Sequence, residues 1–195
     1  MSIVKYSLAA SIGILSGLGI AHSRTSSRYI SQESLPTQIH LIRKERAEQK
    51  VSLESLIPKN LASLKTISDA EPGYHDPNSA GNPLYVIADP DMHIAPNFKL
   101  REFATSGGKV QPYARIDADV VIALQRLRDD VNKSVTITSS YRSTERNEAV
   151  GGAKKSRHLS GDAVDIAIPG MKPKEVASTI EQLFGEEIGL HVYPD

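Results

Sequence analysis

One histidine and one aspartate in the C-terminal half have the chemistry and the local setting of a metal site. His158 is expected in a loop and Asp165 on the strand that follows, with a turn at Gly161 between them. The chain contains no Cys, which excludes thiolate ligands, disulfides and a Cys nucleophile. A catalytic zinc would then need His nitrogens and carboxylate oxygens, with one position left for water. Spacing alone favours a plainer interpretation, a surface histidine beside an aspartate that accepts backbone hydrogen bonds.

The segment around Asp165 alternates as a half-buried strand does. Val164, Ile166 and Ile168 fall on one face, toward the core. Asp165 falls on the other face between two alanines, which leaves open space around its carboxylate. A metal or ligand site needs that shape.

Apolar periodicity and capping residues predict the elements that position this pair. Asp117 caps a helix with a stripe at Val120, Leu124, Leu127 and Val131. The elements predicted after it are a strand at 135–138, a turn at 139–143, a helix at 144–150, a strand at 163–168, a helix starting at Pro173 and a strand at 188–193. This alternation of helix and strand indicates an α+β domain.

The N-terminus has the pattern of an export signal. Residues 7–21 are apolar, follow Lys5, and end in a small-x-small sequence at Ala21 and Ser23. We favour a cleaved signal peptide over an uncleaved membrane anchor, because the stretch is short for a span of about 20 residues. Either interpretation predicts an exported protein, periplasmic or associated with the cell envelope.

Residues 24–96 form a linker-like region with few signals. A charged run at 43–46 indicates a solvated helix face, and the Pro- and Gly-rich segment 71–90 indicates loop with one short strand near 84–87. The predicted division is therefore 1–23 for the export segment, 24–96 for the uncharacterised region and 97–195 for the domain.

The composition of the chain limits the classes of partner that it is expected to bind. Lys+Arg and Asp+Glu number 23 each, so the formal net charge is zero and no basic excess points to nucleic acid. Hydrophobic residues make up 39% and charged residues 24%, as in an ordinary soluble domain. We expect a monomer that contacts the membrane only through its N-terminal segment, and only if that segment is not cleaved.

Several motifs in a fixed order resemble the M15 family of zinc D-Ala-D-Ala carboxypeptidases and murein endopeptidases. The family signature S-x-H-x-x-G-x-A-x-D is matched by Ser156, His158, Gly161, Ala163 and Asp165. The S-x-Y-R-S element is matched at 139–143, the N-x-x-V-G-G-A run at 147–153, and the opening of the domain at 98–104. The resemblance covers about half of the chain.

The resemblance implies a fold, a cofactor and site residues. The fold would be a small mixed or antiparallel sheet with helices packed on it, of the D-Ala-D-Ala carboxypeptidase/hedgehog type. His158 and Asp165 would be zinc ligands, and Arg142 would bind the substrate carboxylate or the oxyanion. Tyr141 and Ser156 would lie at the substrate, with Ser156 also able to hold the ligand loop. The substrate would be the stem peptides of peptidoglycan.

The third ligand is the point where the pattern departs from the family. The family takes a His from a late V-H-x-D segment, and Asp195 ends this chain about where that segment should begin. We favour a C-terminally incomplete domain. The alternatives are that His191 is the third ligand, or that catalysis is lost and the chain is a peptidoglycan-binding or structural module. Asp195 is the candidate general base. A smaller departure is Ser140, where the family commonly has Gly.

Overall fold

The computed structural model describes residues 6–10, 53–71, 73 and 81–192. Most of the predicted export segment, residues 11–52 as a whole and Asp195 lie outside these ranges. No helix within them is long and apolar enough to cross a membrane.

A four-stranded antiparallel sheet forms the centre of the domain. Its strands, numbered in chain order with the shorter ones below, are β1 (Tyr6–Ala10), β8 (Thr136–Ser139), β9 (Ala163–Ala167) and β10 (Ile188–Val192). Their spatial order is β10, β1, β9, β8. Asp165 on β9 stands opposite position 7 of β1 on one side and Ser139 of β8 on the other. A register shift in β8 between Ile137 and Ser139 lies beside this aspartate.

Helices and three small antiparallel pairs of strands complete the fold. The helices are α1 (residues 53–62), α2 (Ile67–Ala70), α3 (Leu100–Ala104), α4 (Ala118–Val131), α5 (Thr144–Ala149) and α6 (Pro173–Phe184), with 3₁₀ turns at Arg157–Leu159 and Gly185–Glu187. The paired short strands are β2 (Leu84–Val86) with β7 (Tyr113–Arg115), β3 (His93–Ala95) with β4 (Phe98–Lys99), and β5 (Thr105–Ser106) with β6 (Lys109–Val110). The α+β class with an antiparallel sheet is confirmed.

Helix α4 follows from its caps and its stripe. The Asp117 carboxylate accepts from the backbone N–H groups of Asp119 and Val120 at 2.8 and 3.2 Å, which satisfies donors that have no partner within the helix. Asn132 ends the helix in the left-handed conformation, with φ of 47°. The predicted cap at Asp117 is confirmed. Burial is wider than the stripe, because the three residues from Val121 to Ala123 are buried as well.

The hydrophobic core extends upstream of residue 97. Leu53, Ile57 and Leu61 recur every four residues on α1 and are all buried. They belong to the same cluster as Ile94 and Phe98. The packed unit therefore draws on the region that the sequence left uncharacterised.

Both faces of β9 are covered. Val164 and Ile166 face the core as predicted, but Ala163 and Asp165 are also buried, and Asp165 is only 2% exposed. The open space expected around the carboxylate is absent because neighbouring polar side chains fill it. Those side chains make up the site.

Candidate metal centre

Three elements bring the predicted polar residues together. Asp165 lies in the middle of β9, His158 lies in the 3₁₀ turn Arg157–Leu159, and Arg142 lies in the coil after β8. The backbone N–H of Arg142 donates to the His158 carbonyl at 3.0 Å. The hydroxyl of Thr138 donates to the Asp165 carbonyl at 3.2 Å. Backbone contacts thus tie the loop, the coil and the strand into one unit.

The ring of His158 is held in one orientation. It is buried, with 5% of its surface exposed, and its Nδ1 lies 2.7 Å from the Ser140 carbonyl oxygen. A carbonyl only accepts hydrogen bonds, so Nδ1 carries the proton and donates it. In the neutral ring, Nε2 is then left with its lone pair, which is the state that binds a metal.

The two carboxylate oxygens of Asp165 have different surroundings. Oδ2 accepts from Nη2 of Arg142 at 3.0 Å. Oδ1 is buried and has no hydrogen-bond partner among the described residues. A carboxylate oxygen without a donor is costly in the interior. Oδ1 is therefore the atom from which a ligand-binding role is expected.

The two unpartnered atoms fit two positions of a zinc site. Nε2 of His158 also lacks a hydrogen-bond partner in the described part of the chain, and it lies 3.5 Å from Oδ1 of Asp165. Zinc bonds of about 2.0–2.1 Å at a tetrahedral angle separate two ligand atoms by about 3.3–3.4 Å. Among the described residues, no third His, Cys or carboxylate joins the pair in a group that could hold a metal.

The loop that carries His158 is held in place by contacts with Arg115 and with Asn82. Gly161 has φ of +76°, and a β-carbon there would lie 2.5 Å from the backbone of Arg115. Only glycine fits such an approach. Asn82 holds the Ser160 carbonyl through its backbone N–H and its side-chain amide at 3.2 and 3.1 Å. The same amide bonds Asp117 at 3.1 Å. Segment 81–82 therefore positions the metal loop.

The predicted substrate residues have different surroundings. Tyr141 is half-buried, packs against the core and lines a cavity beside the site. The hydroxyl of Ser156 makes no hydrogen bond with a described residue, whereas its carbonyl accepts from Leu159 N–H at 3.0 Å. The loop is thus held by the backbone of Ser156 rather than by its side chain.

His191 is not brought to the pair. Position 7 of β1 stands opposite His191 on one side and opposite Asp165 on the other. The two residues are therefore two strands apart, about 10 Å between backbones. Its role as a third ligand stays a prediction, and Asp195 lies outside the described residues.

Two serines, Ser139 and Ser140, have positioning roles that the sequence analysis did not assign to them. Ser139 Oγ accepts from Nε and Nη2 of Arg142 at 3.1 and 3.0 Å. The buried hydroxyl of Ser140 donates to the Phe103 carbonyl. Ser140 does not have positive φ, so replacing the family's usual Gly there costs no backbone strain. Their place in the S-x-Y-R-S element was the sequence feature that could have indicated these positioning roles.

A comparison with protein-family models assigns the C-terminal part of the chain to a known family. The family model described as Peptidase M15 matches residues 96–195, about half of the chain. The chain therefore belongs to the Peptidase M15 family, a family of metallopeptidases. Comparisons with curated proteins and with solved structures gave no significant match.

Proposed function

We propose that this protein is a zinc peptidase that hydrolyses peptide bonds in peptidoglycan stem peptides, as a D-alanyl-D-alanine carboxypeptidase or a murein endopeptidase. The observation that carries the proposal is the pair of buried, unpartnered atoms, His158 Nε2 and Asp165 Oδ1, 3.5 Å apart. Zinc bound by this pair would polarise the scissile carbonyl and lower the pKa of a bound water. The family shown by the comparison supports a metallopeptidase.

Arg142 is suited to hold negative charge on the substrate. Its Nε and Nη2 are used by Ser139 and Asp165, and its Nη1 makes no hydrogen bond with a described residue. Its side chain is 19% exposed, compared with 3% for Asp165, so part of it is accessible to solvent. The two N–H groups of Nη1 are free for a substrate carboxylate or for the developing oxyanion.

Contacts with Arg142 and Ser140 stabilise Asp165 and His158 while leaving one atom of each available to bind a cation. The ion pair with Arg142 offsets part of the cost of burying the Asp165 carboxylate. It does so through Oδ2, so Oδ1 remains available. The hydrogen bond to the Ser140 carbonyl makes His158 present Nε2 toward Oδ1.

Export to the periplasm or cell envelope is part of the proposal, since stem peptides are found there. The apolar stretch 7–21 supports it. Residues 6–10 belong both to that region and to β1, so cleavage near Ser23 would remove β1 from the sheet. N-terminal sequencing of the protein recovered from the envelope fraction decides between the cleaved and the uncleaved form. Recovery only from the cytoplasm contradicts export.

The test of function combines metal content with product analysis. The full chain is loaded with zinc, dialysed and incubated with murein sacculi and with a stem pentapeptide. We expect near-stoichiometric zinc and release of D-alanine or stem fragments, both lost in Asp165→Asn. A zinc-loaded protein that releases nothing contradicts the enzymatic proposal. A protein that retains no zinc but binds sacculi is instead a non-catalytic wall-binding module, in which the Arg142–Asp165 ion pair is purely structural.

A further inference from the structure

A cavity of about 320 Å³ lies outside the predicted metal pair, and Arg142 itself is not among the residues that line it. Tyr141 and Ser143 both line it, and they flank Arg142 in the sequence. The opposite wall comes from the hairpin of β5 and β6, through Ser106 and Gly107. The backbone of Arg142, whose N–H also donates to the His158 carbonyl, therefore links the predicted metal pair to the wall of this cavity.

Among the described residues that line the cavity, Arg146 alone has a charged side chain, and it is exposed to solvent. Its guanidinium lies over Gly107, 3.7 Å from where a β-carbon on that glycine would stand. It makes no hydrogen bond or ion pair with a described residue, although its backbone N–H donates to the Ser143 hydroxyl at 3.3 Å. The planar fork of N–H donors is therefore available for an incoming group.

The walls of the cavity are fixed before any ligand binds. The Gln111 side-chain amide donates to the Ser106 and Lys109 carbonyls at 3.3 and 3.0 Å, and its backbone N–H donates to the Ala104 carbonyl at 2.9 Å. These bonds hold the β5–β6 hairpin. The Tyr113 hydroxyl donates to Glu71 at 2.9 Å, which fixes the ring that lines the cavity. Largely preformed concave sites with a few placed polar or charged groups are typical of ligand-binding pockets.

We propose that this cavity binds a second carboxylate of the substrate, carried inside the peptide rather than at its end. A guanidinium matches a carboxylate in geometry and stays charged. Arg142 takes the group at the reacting centre, and Arg146 takes the internal carboxylate. The inference rests on the proposed function and makes it more specific: the preferred substrates are stem peptides whose internal carboxyl groups are free rather than amidated.

The test measures binding rather than turnover. Two synthetic stem peptides of the diaminopimelate type are titrated into the full-length protein, one with free internal carboxylates and one with these amidated, both with a free C-terminus. Wild type is expected to bind the free form about tenfold more tightly, the order of a charge-assisted hydrogen bond. Arg146→Gln should abolish this preference, and Arg146→Lys should keep part of it.

Lys109→Gln is the matched control. It removes one positive charge from the same hairpin, but Lys109 does not line the cavity, and the bond that Gln111 makes at this residue uses a backbone carbonyl. This variant should keep the full preference. Equal binding of the two peptides by wild type, or a preference that survives Arg146→Gln, overturns the inference. Cleavage of both peptides at equal rates would leave the peptidase proposal standing, while a tenfold binding preference without any cleavage would leave the cavity proposal standing alone.

Discussion

The carbonyl oxygen of Ser140 accepts a hydrogen bond from Nδ1 of His158 at 2.7 Å, and the Ser140 hydroxyl donates to the carbonyl of Phe103. One buried residue thus orients the metal-binding ring with its backbone and is itself held to α3 by its side chain. The orientation of the predicted ligand depends on packing eighteen residues away in the chain.

Ser140→Ala is expected to lower both stability and zinc affinity. The change leaves the buried Phe103 carbonyl without its donor, which costs about 1–3 kcal/mol in free energy of unfolding. Because the backbone at residue 140 is then free to shift, His158 should also bind zinc less tightly. Denaturant unfolding and zinc titration measure the two effects. Ser156→Ala removes a hydroxyl with no partner among the described residues and should change stability by less than about 0.5 kcal/mol.

Asp165→Asn should remove zinc binding while leaving the fold in place. The amide has the shape of the carboxylate but lacks its charge, so the affinity for zinc should fall by more than about 100-fold, the upper range for loss of a supporting partner. Competition with a chelating dye gives the affinity. Asp162→Asn is the matched change: Asp162 pairs with Arg157 at 2.6 Å and should keep its zinc. Equal zinc affinity in both variants contradicts the assignment of Asp165.

Ser139→Ala should reduce catalysis without reducing metal content. The hydroxyl is the acceptor for both Nε and Nη2 of Arg142, so its loss frees the guanidinium to move. Misplacement of a positioning group by about 1 Å costs up to about 100-fold in rate. We expect kcat to fall and bound zinc to remain. Ser160→Ala, whose hydroxyl has no partner in the described part of the chain, should leave both unchanged.

Gly161→Ala should destabilise the protein by about 2–5 kcal/mol. The left-handed conformation costs about 1–2 kcal/mol for a residue with a β-carbon, and the overlap with Arg115 adds about 1–3 kcal/mol. Gly151→Ala separates the cost of the left-handed backbone from the cost of the overlap with Arg115. Gly151 has φ of +68°, but nothing lies within 4 Å of a β-carbon there. Thermal unfolding should show the smaller loss for Gly151→Ala. Similar losses for the two variants would show that the contact with Arg115 is unimportant.

Asp119→Asn should stabilise the protein at neutral pH. Burial raises the pKa of Asp119, and the charges of Asp117 and Glu54 raise it further. The folded state therefore binds the Asp119 proton more tightly than the unfolded state does. The stabilisation that protonated Asp119 adds to the free energy of unfolding is fully present below the ordinary carboxyl pKa. It is lost as the pH rises through the raised pKa. The gain at pH 7 should be about 0.5 kcal/mol after solvent screening, and it should vanish at pH 3.

Asp69→Asn is the control of opposite sign. Hydrogen bonds from the Thr66 hydroxyl and backbone lower the pKa of Asp69. Its contribution is present above the ordinary carboxyl pKa and is lost as the pH falls through the lowered pKa. This variant should lose stability at pH 7. Parallel pH profiles for the two variants would contradict both assignments.

Elements with strong local signals were predictable from the sequence. Helix α6 begins at Pro173 and buries Val176, Ile180 and Phe184, as its apolar spacing predicts. The strand at 135–138 was displaced by one residue, since it runs from Thr136 to Ser139. Caps and periodicity act over a few residues, so a single sequence contains them.

Features that depend on tertiary packing were not predictable. Helix α1 lies within a stretch of scattered apolar residues, and its burial depends on contacts with the core around Ile94 and Phe98. Asp165 was expected in open space, but the coil and the 3₁₀ turn fold over it. Arg146 gave no sequence signal, because its place at the cavity depends on the β5–β6 hairpin, which supplies Ser106 and Gly107 to the same lining.

The bonds from Asn82 to Ser160 join residues 78 positions apart across the start of the family match. A domain transplanted as residues 96–195 alone would leave behind the partner that restrains its own ligand loop. Transfer of the proposed metal site to another protein, natural or engineered, would thus require the preceding segment to be transferred with it.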